Sequence, residues 1–234
     1  MSEKQLTYGS LFSGIGGMDL GLDAAGLSCR YQVEIKKYAQ AVLKKHWPEV
    51  PKHDDIRTLT NPERTDIIAG GFPCQDISSA SMHKIGIEGK QSGLWREYLR
   101  VVREVRPRIV IIENVASLVT RGLQTIITDL AGIGFDVGWR VFCSSEFGFP
   151  FMRRRLFLVA SPNGNRKPIM SIHAKVEGMP RVAKDRWERT LRDVARNTRV
   201  AVGVSNRIQR CSGIGNAVVP VMAEWIARRV IESM

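Results

Sequence analysis

A thiol, a carboxylic acid and a run of guanidinium groups stand where each could act on a reacting molecule. Cys74 follows Pro73 in the stretch Gly71-Phe72-Pro73-Cys74-Gln75, just after the apolar run Ile67-Ile68-Ala69. A free cysteine is most often a small buried hydrophobe. One fixed behind a proline at a strand end can instead be a nucleophile. Glu113 closes a second apolar run, Ile111-Ile112, and precedes Asn114. A glutamate there is commonly a cap or a solvated turn. Opposite a thiol on a neighbouring strand end it can be a proton donor with a raised pKa. Arg153-Arg154-Arg155 precedes a third apolar run, and such a cluster can hold phosphates or a polarised carbonyl oxygen.

A second group of residues suits a small ligand. Phe12-Ser13-Gly14-Ile15-Gly16-Gly17 reads as a strand end running through a glycine turn into a helix. That is a frequent nucleotide site, although the full G-x-G-x-x-G is missing and a plain tight turn explains it equally well. Glu34 lies about twenty positions on, where a carboxylate can accept from ribose hydroxyls. Asp54-Asp55-Ile56 adds a third acidic point. Singly, these acids read as surface residues; together they line the carboxyl edge of one sheet.

The elements that would position these groups alternate in type. Strand patterns fall at residues 8–12, 31–35, 66–69, 108–112, 137–143 and 156–160. Helical spacing falls at 18–25, 38–46, 94–105, 123–131 and 218–231, with stops at Gly26, Pro48 and Pro107. This is the signature of an α/β fold with a mostly parallel sheet and helices on both faces. Residues 161–203 carry no sustained period. At 234 residues and 44% hydrophobic content the chain suits one large domain, or one with a small appendage.

Four cysteines without a CxxC pair, and four histidines that do not cluster with them, argue against a zinc site or disulfide framework, so no metal is expected. The start of the chain lacks the pattern of a signal peptide and no apolar run is long enough to cross a bilayer. The expectation is a cytoplasmic protein without a membrane partner. Net charge is +12, and residues 151–210 hold 15 Lys or Arg against 4 Asp or Glu. A charge run is usually a solvated face. A segment this lopsided on an almost neutral body is more often an anion-binding surface, with nucleic acid the commonest partner.

In order along the chain, FSGIGG, VEIKKYA, DDIRTL, GGFPCQDIS, SGLWREYLRVVREVRPRIVIIENV, RRRLFLVA and GIGNAVVP resemble a DNA cytosine-5 methyltransferase of the bacterial or phage type. The resemblance covers nearly the whole chain except the basic segment. It implies a Rossmann-like S-adenosylmethionine-dependent methyltransferase fold, with 1–160 as the cofactor-binding and catalytic domain, 161–206 as a small basic target-recognition segment, and 207–234 as a C-terminal helix returning to the body.

The resemblance also implies roles. Cys74 attacks C6 of the target cytosine, Glu113 holds and protonates N3, and Arg153 and Arg155 contact the cytosine carbonyl or a nearby phosphate. The cofactor, S-adenosylmethionine, falls to Phe12, Gly14, Gly16, Gly17, Glu34, Asp55, Ile56 and Asn216. Phe12 stacks near the adenine, Glu34 holds the ribose and Asp55 meets the adenine amine. Phe72, Pro73, Gln75, Ser78 and Asn114 belong to the base pocket and its loop, with residues 76–93 closing over a flipped base. Double-stranded DNA is the expected partner of a monomer, in a restriction-modification setting; the charge of the basic segment, rather than the resemblance, puts Arg181, Lys184, Arg186 and Arg189 on its phosphates.

Two departures stand out. Phe151 occupies the place of a usual glutamine, and only about 60 residues separate the arginine motif from GNAVVP. So short a recognition region implies a short site, relaxed readout, or help from a partner chain. An RNA cytosine methyltransferase is disfavoured because its Cys-Phe-Thr segment is missing. A catalytically silent nucleic-acid binder would not need Cys74 and Glu113. A nicotinamide-dependent oxidoreductase leaves PCQ, ENV and the basic segment unexplained.

Overall fold

Ile67, Ile68 and Ala69 are all fully buried, as are Ile109 to Ile112 and Leu156 to Ala160. Side chains alternate across a strand, so these three strands are apolar on both faces and need cover on both. The computed structural model supplies it. It describes residues 5–73, 93–149, 151–176 and 217–234.

In chain order the elements are β1 (Thr7–Leu11), α1 (Gly17–Ala24), β2 (Ser28–Val33), α2 (Lys37–His46), β3 (Lys52–His53), β4 (Ile67–Gly70), α3 (Gly93–Val105), β5 (Ile109–Val115), α4 (Leu118–Arg121), α5 (Leu123–Gly132), β6 (Phe135–Cys143), β7 (Arg154–Pro162), α6 (Lys167–Ser171) and α7 (Pro220–Glu232). The strands form one sheet in the order β3-β2-β1-β4-β5-β7-β6. From β3 to β5 neighbours run parallel; β7 pairs antiparallel with both β5 and β6. Leu11, Ile68, Val110, Ile112, Leu156 and Leu158 pack with α3, α4 and α5 on one face. Tyr8, Ile67, Ala69, Ile109, Ile111, Phe157 and Val159 pack with α1, α6 and α7 on the other.

The sheet grows outward from β1 to β2 and β3, then resumes on the other side of β1 with β4 and β5. The crevice at that reversal, beyond the carboxyl ends of the strands, is where folds of this kind take a ligand.

Several elements differ from the sequence expectation. β5 continues to Val115 instead of stopping at Ile112, because β7 hydrogen-bonds alongside it as far as the pair Val115 and Arg155. Glu113 and Asn114 are therefore strand residues, not turn residues. β3, α4 and α6 span two, four and five residues, too short to show a period. α6 also carries the body past residue 160: Ile169 and Ile172 are buried with α7, so this stretch of the expected recognition segment packs as core. Among the described residues no helix is long and apolar enough to cross a membrane.

Candidate active site

The glycine turn after β1 is built by backbone geometry. Phe12, Gly14 and Gly16 all have positive φ, at 54°, 57° and 84°, the left-handed region that glycine adopts without penalty. Glu34, at the end of β2, is buried and locks the turn. One carboxylate oxygen accepts from the Gly14 N–H at 2.8 Å and the other from the Lys36 N–H at 2.8 Å. The place where a Gly14 side chain would stand is open. The Phe12 ring is half-buried and lies parallel to Tyr98, 6.4 Å between centroids.

The other expected cofactor residues divide. A side chain on Gly16 would strike the Trp47 ring at 2.4 Å, and one on Gly17 would strike the Val218 carbonyl at 2.6 Å. The lack of a Cβ at these two positions makes room for the protein's own neighbours, Trp47 and Val218. The Ile56 side chain is core, 2% exposed, and its carbonyl accepts from Arg100. Asp55 caps the short 3₁₀ turn after it, accepting from the Arg57 N–H and from the Arg57 guanidinium. That hydrogen bonding holds the Asp55 carboxyl below its usual range.

Along the same edge, β4 runs into Gly71-Phe72-Pro73. Phe72 is buried against Trp95 and Tyr98 of α3. Its carbonyl accepts from the Asn114 side chain at 3.1 Å, and Asn114 accepts from the Val115 N–H. Asn114 thus ties the end of β4 to β5. A side chain on Gly71 would sit 2.9 Å from Glu113 Oε2 and 2.7 Å from the Glu113 carbonyl. Only glycine lets the chain pass this close, and Cys74 follows three residues later.

Glu113 is 7% exposed. Arg155 reaches it from β7, with Nε 2.9 Å from Oε1. Burial raises the Glu113 pKa and the Arg155 and Arg153 cations oppose it; burial wins, leaving it at about 7. Arg153 donates from Nη2 to the Ala217 carbonyl, just before α7, and from its N–H to Ser144 Oγ. The arrangement is a buried acid that can exist protonated near neutral pH, steadied by a guanidinium and placed under the strand end that leads to a thiol. It can lend a proton to a ring nitrogen while a neighbouring nucleophile attacks. Cys74, Gln75, Ser78, Arg181, Lys184, Arg186, Arg189 and Asn216, with nearly all of the 76–93 loop, lie outside the described residues.

Residues 6–209 match the profile of the C-5 cytosine-specific DNA methylases. The chain belongs to that family. Among similar proteins, the Type II methyltransferase M.NgoFVII of Neisseria gonorrhoeae is 36% identical over 158 residues, which is 64% of this chain and 42% of that one. M.AquIA of Picosynechococcus sp. is 35% identical over 187 residues, 70% and 73% of the two chains. The crystal structure of S. pombe Dnmt2 methyltransferase shares the fold, with a TM-score of 0.57 over 68% of this chain and 50% of that one at 24% identity. The match spans 42%, 41% and 50% of the first three curated relatives, half their length or less.

Sequence reasoning passed over three supports of the site. Gly71 stood inside the quoted motif, where only its closeness to Glu113 reveals its use. Ser144 and Trp47 belong to no motif; they come to the site through tertiary contact alone.

Proposed function

We propose that the chain is a DNA cytosine-5 methyltransferase, moving a methyl group from S-adenosylmethionine to C5 of a cytosine extruded from duplex DNA. The observation that carries this reading is Glu113: buried, held near pKa 7, and pressed beneath the strand end before Cys74. Cytosine is a poor nucleophile at C5. Protonated Glu113 donates to N3 and draws electron density from C6. The Cys74 thiolate adds to C6, the electron pair moves to C5, and C5 takes the methyl group. Water takes the C5 proton, the freed electron pair re-forms the C5–C6 double bond, the C6–S bond breaks to return the thiolate, and the N3 proton returns to Glu113. Arg155 keeps the Glu113 carboxyl turned toward the base, and Arg153 anchors the start of α7 beside it.

The cofactor fits the first crevice. Glu34 is a buried carboxylate fixed by two backbone donors, Gly14 leaves open space, and Phe12 offers a half-exposed ring. When bound, S-adenosylmethionine supplies an electrophilic methyl group. On this reading the enzyme acts on duplex DNA in the cytoplasm as a monomer. The test is transfer of labelled methyl groups to unmethylated genomic DNA and to transfer RNA. Wild type should label DNA at C5 of cytosine and leave RNA unlabelled. Cys74→Ser should label neither, since a hydroxyl is a far weaker nucleophile at this pH. Labelled RNA with unlabelled DNA would overturn the reading.

A further inference from the structure

Among the described residues, five large hydrophobic side chains are exposed: Ile35, Trp139, Phe151, Met152 and Met170. Only Phe151 and Met152 are adjacent in sequence, and they stand directly before Arg153-Arg154-Arg155. Met152 is 81% exposed and Phe151 40%. The Phe151 ring leans on Phe149, 5.3 Å between centroids, and Phe149 is itself buried in the core. The backbone beneath is fixed. Ser144 Oγ donates to the Phe151 carbonyl and accepts from the Arg153 N–H. An aromatic ring is therefore seated on a rigid support with much of its surface turned outward, next to a flexible thioether.

Its surroundings point to an anion with flat apolar groups. Of the three guanidinium groups that follow, Arg155 is paired with Glu113 and Arg153 with the Ala217 carbonyl, while Arg154 is exposed; Glu146 is neutralised by Arg140 at 2.6 Å. The lip also lies at the catalytic end of the sheet. Four residues of extended chain span about 13 Å, so Phe151 stands within that reach of Arg155, which holds Glu113. Successive phosphates on one strand are about 3.4 Å apart along the duplex. Phe151 would thus stand at most about four base steps from a cytosine held at Glu113.

Resting on the reading above, we propose that Phe151 and Met152 form an apolar lip that packs against a nucleobase near the extruded cytosine, while the exposed Arg154 beside it takes a phosphate. Stacking on an aromatic ring accepts any base, so the lip adds affinity near the reacting nucleotide without reading sequence.

The test uses the full chain with Phe151→Ala, Phe151→Trp, Met152→Ala and Arg154→Ala. Binding to duplex DNA of mixed sequence is measured against salt, and methyl transfer to unmethylated genomic DNA is measured as kcat and KM. Phe151→Ala should weaken binding on the order of 5- to 150-fold, the loss seen when a base-stacking ring is removed. Its salt slope should match wild type, because no phosphate contact is lost. KM for DNA should rise while kcat changes little, Met152→Ala should do the same more weakly, and Phe151→Trp should restore binding. Arg154→Ala should flatten the salt slope by about one phosphate contact. Unchanged affinity in Phe151→Ala, beside a wild type that binds and methylates DNA, would overturn the lip and leave the enzyme reading intact. A melting temperature lowered in Phe151→Ala with unchanged DNA affinity would mean that the ring serves packing. A wild type that neither binds nor methylates DNA would overturn both.

Discussion

Two buried acids differ in what surrounds them, and their pH behaviour should differ accordingly. Glu113 has cations beside it and a pKa of about 7. In the proposed role of proton donor it would work in its protonated form, so the single-turnover rate should fall as pH rises above about 7. The Arg155 cation lowers this pKa, so Arg155→Ala should carry the falling limb to higher pH. A rate that stays flat from pH 6 to 9 would remove Glu113 from the role of acid. Asp19 is fully buried in α1, and burial lifts its pKa from 3.8 to about 6 against the hydrogen bonds of Gln32 and Ser10. Gln32 donates to Asp19 Oδ1 at 2.7 Å, while Asp19 Oδ2 and Gln32 Oε1 have no hydrogen-bond partner among the described residues. A folded-state pKa above the unfolded one gives stability that is complete below about 4 and lost as pH rises through about 6. The shift corresponds to about 3 kcal/mol. Asp19→Asn has no charge to bury and its amide can donate to Gln32 Oε1. Its melting temperature should exceed that of wild type by a margin that grows from pH 4 to pH 6 and then levels. Calorimetry across that range measures it, and a constant margin would refute the linkage.

The elements meet closely at α1 and α7. A side chain on Gly21 of α1 would come within 2.3 Å of the Pro220 carbonyl and 2.7 Å of the Ala223 Cβ. The two helices thus touch backbone to backbone, and α7 buries Val221, Met222, Ala223, Ile226, Ala227 and Val230 in the same core. Gly21→Ala must push α7 away from the sheet. Overpacking of this kind costs about 1–3 kcal/mol. Chemical denaturation should show that loss, together with weaker cofactor binding, because Gly17 rests on Val218 just before the same helix. An unchanged denaturation midpoint would show that the helices can part without cost. The helical spacing of residues 218–231 was plain in the sequence, because Val221, Met222, Trp225, Ile226 and Val230 keep a helical period. The partner of that helix was not. Nothing in the pattern of α7 distinguishes α1 from any other apolar surface, and α1 lies some two hundred residues away.

Over the whole molecule, charge is distributed unequally. Residues 151–210 hold 15 basic and 4 acidic side chains of a chain whose net charge is +12. Duplex binding should therefore weaken steeply with salt, each neutralised phosphate adding about 0.9 to the slope of log affinity against log salt. Neutralising Arg181, Lys184, Arg186 and Arg189 together should flatten the slope by up to roughly 3 units and weaken all sequences alike. The same slope in wild type and variant would place the DNA-binding surface elsewhere.

The identity of the family was written in the linear sequence. FSGIGG, GGFPCQDIS and the glutamate of IIENV keep their residue types and order, and the alternation of strand and helix periods follows from local propensity and one-sided burial. Hydrophobic periodicity, however, carries no direction. Leu156 to Ala160 reads as the same buried strand whichever way it runs, so only the hydrogen-bond register reveals that β7 is antiparallel, and with it that β5 extends to Val115 and that Arg155 meets Glu113. The acidity of Glu113 depends on what excludes water from it and which cations stand nearby, and those neighbours come from β4, β7 and Gly71. The types and spacing of residues set which chemistry was available. The tertiary structure decided which groups are close enough, and dry enough, to perform it.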